Sequence, residues 1–198
     1  MGTLLLDTNV LRYRAGASAQ CDVSACWDFV SDPHNGYDVY VSDETLRELK
    51  VQRYVLRPDE AHLLFEQVVP HLDTLSFAGD LEREHLVREL ASYVKRTYRL
   101  QVPASAHQTA GKEMQYPSVS DARILLTALD AGATLVTKNV KDFLVYLLFG
   151  YVIWDPVDNY SIVLTQDLWD ELQEDEGVQD LVERICEYPV GTLSCKKT

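Results

Sequence analysis

The chain has 198 residues, 46% hydrophobic and 25% charged, which is enough for one domain with a sizeable core and too ordinary for whole-chain disorder. Its net charge of -13, from 31 acids against 18 bases, excludes a general nucleic-acid coat, which would be basic. Much of the excess is in the tail, since residues 151–198 hold 11 acids and 3 bases, so the body is left able to carry a local basic patch.

No apolar run approaches the roughly 20 residues that span a bilayer. The longest, Phe143 to Ile153, reads as core. The opening Met-Gly-Thr-Leu-Leu-Leu-Asp has no basic segment ahead of its leucines, which argues against a secretory signal and for a cytosolic location. Cys21 and Cys26, and Cys186 and Cys195, lack the spacing of a zinc knuckle and are expected to be free thiols. His34, His62, His71, His85 and His107 show no ligand spacing.

In chain order, Thr3–Asp7 is an apolar run ending at an acid, the pattern of a buried parallel strand that delivers Asp7 to its carboxyl end. Asn9 to Arg14 continue as a turn or helix. Residues 24–31 read as an amphipathic helix closed by Asp32-Pro33-His34-Asn35-Gly36, a strong breaker. Residues 37–41 alternate as a second strand. Ser42 or Asp43 then starts a helix striped by Leu46, Leu49 and Val55. Pro58 restarts a helix through Ala61–Val69. Residues 79–99 repeat Leu81, Leu86, Leu90 and Val94 at helical spacing. Residues 101–117 read as a loop, 119–131 as a helix stopped by Gly132, 133–137 as a third core strand, 139–148 as a helix and 151–154 as a fourth strand. Residues 166–187 are acidic and helical, with an apolar stripe of Leu168, Trp169, Leu172, Val178, Leu181, Val182 and Ile185 expected to dock on the body or a partner. Alternating strands and helices make the class α/β with a mostly parallel sheet.

In open sheets of this kind, ligands sit beyond the carboxyl ends of the strands. Asp7 ends the first strand. Glu44 and Glu48 share one face of the helix after the second. Asp121 lies in the first turn of the helix leading to the third, and Thr137, Asn139 and Asp142 follow that strand. Two carboxylates about 5 Å apart repel by roughly 3 kcal/mol at an effective dielectric of about 20. A cluster of them must therefore hold protons or bind a cation. Hard oxygen donors select Mg²⁺ or Mn²⁺, ions that activate water and steady an in-line displacement at phosphorus.

Plainer readings stand beside each of these. Asp7 reads equally as an acid closing a strand, and Glu48 as a solvated helix acid. Asp121 is favoured by the helix dipole and by a capping box with Ser118. Asp142 and Asn139 fit a helix cap. Glu44 is the rival or helper of Glu48. Lys95, Arg96 and Arg99, with Tyr93 and Tyr98, are candidate RNA phosphate contacts and stacking groups, or else a solvated basic helix end. Lys138 and Lys141 flank the acids as further phosphate candidates.

Leu4-Leu5-Leu6-Asp7-Thr8-Asn9-Val10-Leu11, Val41-Ser42 followed by Glu48-Leu49, Ser120-Asp121-Ala122, and Leu135-Val136-Thr137-Lys138-Asn139-Val140-Lys141-Asp142-Phe143 together resemble the motifs of the PIN-domain (PilT N-terminus) nucleases, in particular the VapC-like ribonuclease toxins. The resemblance covers residues 1–50 and 118–155. It implies a single three-layer α/β/α domain over 1–198, with a central mostly parallel sheet of about four to five strands. A helical insertion at 51–117 and an acidic helical C-terminal extension at 156–198 exceed the family's pattern. It further implies that Asp7, Glu48, Asp121 and Asp142 are catalytic and hold Mg²⁺ or Mn²⁺, with Thr8, Asn9, Thr137 and Asn139 behind them or positioning substrate. The implied activity is metal-dependent endoribonuclease cleavage by activated water, leaving a 5′-phosphate and a 3′-hydroxyl. The implied setting is a toxin–antitoxin pair, with a small antitoxin protein as partner and a homodimer. The alternatives are a catalytically silent binding or regulatory module of the same fold, with the acidic helices as its working surface, and a metal-dependent DNA nuclease.

Overall fold

The computed structural model describes residues 2–16, 21–76, 80–102, 111, 113–187 and 194–196. Seven strands, β1 (Gly2–Leu6), β2 (Tyr37–Ser42), β3 (Asp73–Ser76), β4 (Thr134–Val136), β5 (Ile153–Asp155), β6 (Tyr160–Ile162) and β7 (Ser194–Lys196), form one sheet in the order β6-β5-β4-β1-β2-β3-β7. β1 to β5 pair in parallel, and β6 and β7 add antiparallel edges. The carboxyl ends of five strands therefore share one rim.

The layers follow from side-chain alternation along the strands. Leu5 and Leu135 face one side, where they pack with α5 (Leu81–Tyr98), α6 (Val119–Asp130) and the apolar segment Leu144–Leu148. Leu4, Leu6, Val41 and Val136 face the other, against α1 (Thr8–Arg14), α2 (Ser24–Ser31), α3 (Asp43–Gln52) and the segment that runs from α4 (Pro58–His62) to Leu72. This is the three-layer α/β/α arrangement with a mostly parallel centre.

Local chemistry sets the boundaries. The Ser42 hydroxyl accepts from the Thr45 N–H at the start of α3, 2.9 Å away. Ser118 and Asp121 close a capping box at the start of α6. Gly132, at a φ of +59° that only glycine adopts without cost, stops α6 where the sequence predicts. α8 (Gln166–Glu174) and α9 (Glu176–Glu187) form the acidic extension, and the predicted stripe docks on the body: Leu172, Val178, Leu181 and Ile185 are buried in the core that α5 and α6 share.

Three expectations need correction. Among the described residues the expected parallel centre of β1 to β5 gains two antiparallel edge strands, β6 and β7. The stretch 51–117 is not purely helical, because it supplies β3, which pairs with β2 from Tyr40↔Asp73 to Ser42↔Leu75. The segment 139–148 is only briefly α-helical, as α7 (Val140–Phe143), and continues as a 3₁₀ helix over Leu144–Phe149. That run is apolar on every side and has no amphipathic period to enforce an α-helix. Of the loop read at 101–117, Gln101 bridges Glu113, and residues 103–110 and 112, His107 among them, lie outside the described residues. Cys21, Cys26 and Cys186 are free, whereas the Cys195 side chain lies outside the description. Among the described residues no helix is long and apolar enough to cross a membrane.

Candidate active site

β1 ends beneath the rim and Asp7 begins α1 as its N-cap, its Oδ1 accepting from the Thr8 N–H at 2.6 Å. Its Oδ2 accepts from the Thr137 hydroxyl at 2.7 Å, and from the Asn9 side-chain amide. Thr137 arrives on the end of β4, the strand beside β1, and its oxygen also accepts from Asn9 Nδ2 and from the Asn139 backbone N–H, each at 3.0 Å. The Asn9 side-chain Oδ1 in turn accepts from the Lys138 N–H at 3.0 Å. One lattice of short polar groups thus locks β1 to β4 around a carboxylate that is only 4% exposed.

Glu48 reaches the same place from α3 and accepts from the Thr8 hydroxyl. Asp121 presents from the first turn of α6, where its Oδ2 accepts from the Ser118 N–H at 2.9 Å. Asp142 lies in α7 and accepts from the Asn139 amide. Asn139, the residue before α7, makes no side-chain cap bond to the helix backbone, so its amide serves Asp142.

The charge of Asp121 bears on the other three carboxylates. Burial raises Asp7 from 3.8 to about 7 against the hydrogen bond from Thr137, and the charges of Glu48 and Asp121 push it further up. Burial raises Glu48 too, with Asp121 and Glu44 adding to the rise and the Thr8 bond opposing it. Asp142 is raised by burial and by Asp121, while Asn139 and Lys141 oppose. Among the described residues none of the four makes an ion pair. As the side chains stand, no three His, Cys, Asp or Glu residues among those described are gathered around a point where one metal ion would be held.

Other acids nearby are neutralised. Glu44 receives Arg47 at 3.0 Å and Arg123 at 3.4 Å, with the Ser120 hydroxyl at 2.8 Å, so the structure separates it from Glu48. Arg123 also holds Glu84 of α5 at 2.7 Å. Lys138 does not reach out from the rim. Its ammonium lies between Asp155 at 3.0 Å and Asp158 at 2.7 Å, both nearly buried, so its charge is spent within the fold. Lys141 makes no ion pair among the described residues. Arg96 and Arg99 are exposed and Lys95 half-buried at the end of α5. The tyrosines beside them are engaged: the Tyr98 hydroxyl donates to Asp175 at 2.6 Å and that of Tyr93 to the same carboxylate at 3.1 Å, tying α5 to the start of α9. Sequence reading missed Ser120, Arg123 and Glu84, whose pairing depends on how α3, α5 and α6 cross.

No protein-family model and no curated protein matches the chain. Among solved structures it is similar to FitAB bound to an IR36 DNA fragment, 18% identical over 77% of this chain and 94% of that one, with a TM-score of 0.49. It is similar to FitAcB from Neisseria gonorrhoeae at 20% identity, 77% and 97% coverage and a TM-score of 0.47. For VapBC2 from Rickettsia felis, bound to a DNA fragment from their promoter, the values are 17% identity, 72% and 91% coverage and a TM-score of 0.48.

Proposed function

We propose that the chain is a Mg²⁺- or Mn²⁺-dependent ribonuclease of the PIN-domain type, with Asp7, Glu48, Asp121 and Asp142 as its working carboxylates. The observation that carries this reading is selective neutralisation. Glu44, Glu84, Asp130, Asp155 and Asp158 each have a cationic partner, whereas none of the four rim acids makes an ion pair among the described residues and the charge of Asp121 bears on the other three. Such an arrangement lowers the stability of the free protein, and a bound dication relieves it.

The donor chemistry fits the ion. All four groups are hard oxygen donors, the class that takes Mg²⁺ and Mn²⁺. Their positions fit it only after movement: Glu48 and Asp142 have to turn from Thr8 and Asn139. A bound ion supplies an acidified water and offsets charge on the phosphate. The protein's part is positional. Asp7 is oriented through both oxygens by Thr8, Asn9 and Thr137, so its geometry is set before substrate arrives. Its raised pKa means that the free site holds part of a proton near neutrality, and a cation held there would favour the ionised carboxylate. In the free protein Thr8 holds Glu48 and Asn139 holds Asp142, the bonds that the two carboxylates would exchange for an ion. No side-chain nucleophile is required. RNA as the substrate, a small antitoxin as partner and a homodimer belong to this proposal on the strength of the motif resemblance.

The test is cleavage of single-stranded RNA with Mn²⁺ by Asp7→Asn and Asp121→Asn variants whose circular dichroism matches the parent. Loss of cleavage in both supports the reading, and full activity in both rejects it. Flap DNA assayed in the same buffer separates a ribonuclease from a DNA nuclease.

A further inference from the structure

The segment Gln115–Ser118 is a strap between two of the rim acids. At one end the Gln115 N–H donates to the carbonyl of Lys141, the neighbour of Asp142, at 2.8 Å. At the other, Ser118 caps the helix that carries Asp121. Between them Tyr116 is 45% exposed, high for an aromatic ring. The Arg88 guanidinium covers the ring at 5.0 Å from its centroid. Arg88 lies one turn after Glu84 on α5, on the side that meets α6 through Arg123. Its Nε is buried without a hydrogen-bond partner, and among the described residues it makes no ion pair.

An unpaired guanidinium stacked on an open phenol, at the border of a carboxylate site, pairs the two groups that single-stranded nucleic acids use: a cation for phosphate and a flat face for a base. We propose that Tyr116 and Arg88 form a seat for one nucleotide of a single-stranded RNA substrate, the base stacking on the Tyr116 ring and the adjoining phosphate meeting the Arg88 guanidinium. This rests on the ribonuclease reading and adds to it the side from which the strand enters, between Asp121 and Asp142. The seat is independent of Lys138, whose charge Asp155 and Asp158 already consume.

The test is fluorescence anisotropy of the full chain with a 5′-labelled, mixed-sequence single-stranded RNA, in EDTA so that nothing is cut. Tyr116→Ala is expected to weaken binding about ten-fold, and Tyr116→Phe, which keeps the ring, to stay within about two-fold of the parent. Arg88→Gln is expected to weaken binding and to reduce the slope of log affinity against log salt by about one. Melting temperatures establish that each variant is folded, and the Phe variant keeps the test decisive if alanine disturbs the strap. Binding by the parent that neither Tyr116→Ala nor Arg88→Gln alters overturns the seat alone. A parent chain that binds no RNA overturns the seat together with the substrate assigned above.

Discussion

Asp7→Asn changes the pH dependence of stability in a direction that is unusual for a carboxylate. The Asp7 carboxyl titrates at about 7 in the folded chain against an ordinary value of 3.8. The folded state therefore holds the proton more tightly than the unfolded state, and stability falls as pH rises from about 4 to about 7. At about 1.4 kcal/mol per pKa unit, ionised Asp7 destabilises the metal-free protein by roughly 4 kcal/mol above neutrality, with no such effect below pH 4. Asparagine removes that titration. It also turns an N–H₂ toward the Asn9 amide and Thr137 hydroxyl that donate to Oδ2, a mismatch of about 1–3 kcal/mol at every pH. The two stability curves should cross, with the variant weaker at pH 4.5 and stronger at pH 8. Urea denaturation in EDTA across that range reads the effect. Glu48 and Asp142, also raised, leave the variant some residual slope of the same sign. Curves that run parallel for parent and variant would refute the reasoning.

Three further outcomes follow from named contacts. Addition of Mn²⁺ in excess should raise the melting temperature of the parent at pH 8 and leave Asp7→Asn nearly unmoved, as read by differential scanning fluorimetry. Arg83→Ala should cost about 3–5 kcal/mol in urea denaturation: it strips the partner from Asp130, held at 2.6 Å with both side chains 3% exposed. The double change Arg83→Met with Asp130→Leu should recover most of that loss. Lys138→Met should lower stability by about 2–3 kcal/mol, because it removes the cation that buried Asp155 faces at 3.0 Å. Its RNA affinity should remain near that of the parent, where a phosphate contact would instead show as a reduced salt dependence of binding.

The parts of the site readable in advance are those set by local grammar. An apolar strand that ends at Asp7, the Ser42 cap and the Ser118-x-x-Asp121 capping box each depend on neighbours within a few residues, and each stands where the chain order predicts. β3 was not readable. It spans four residues, Asp73–Ser76, of which only Thr74 and Leu75 are buried, and its claim to be a strand comes from the neighbours that flank it, β2 and β7. The choice between Glu44 and Glu48 is undecidable on one helix face. What tells them apart is Arg123, which arrives from α6 and pairs with Glu44 but not with Glu48. Lys138 looks like a phosphate contact until the β5–β6 hairpin brings Asp155 and Asp158 against it. Tyr93 and Tyr98 likewise look available for bases until Asp175, 82 and 77 residues further on, takes both hydroxyls.

The placement of β1 bears on the timing of activity during protein synthesis. β1 sits in the middle of the sheet, and one of its two neighbours, β4, is not made until residue 134. Asp7 thus waits 130 residues for the Thr137 hydroxyl that orients it. A nascent polypeptide halted before that point carries Asp7 and Glu48 but neither Asp121 nor Asp142 in place. On the ribonuclease reading proposed above, such a fragment lacks the complete carboxylate set and is expected not to cut RNA.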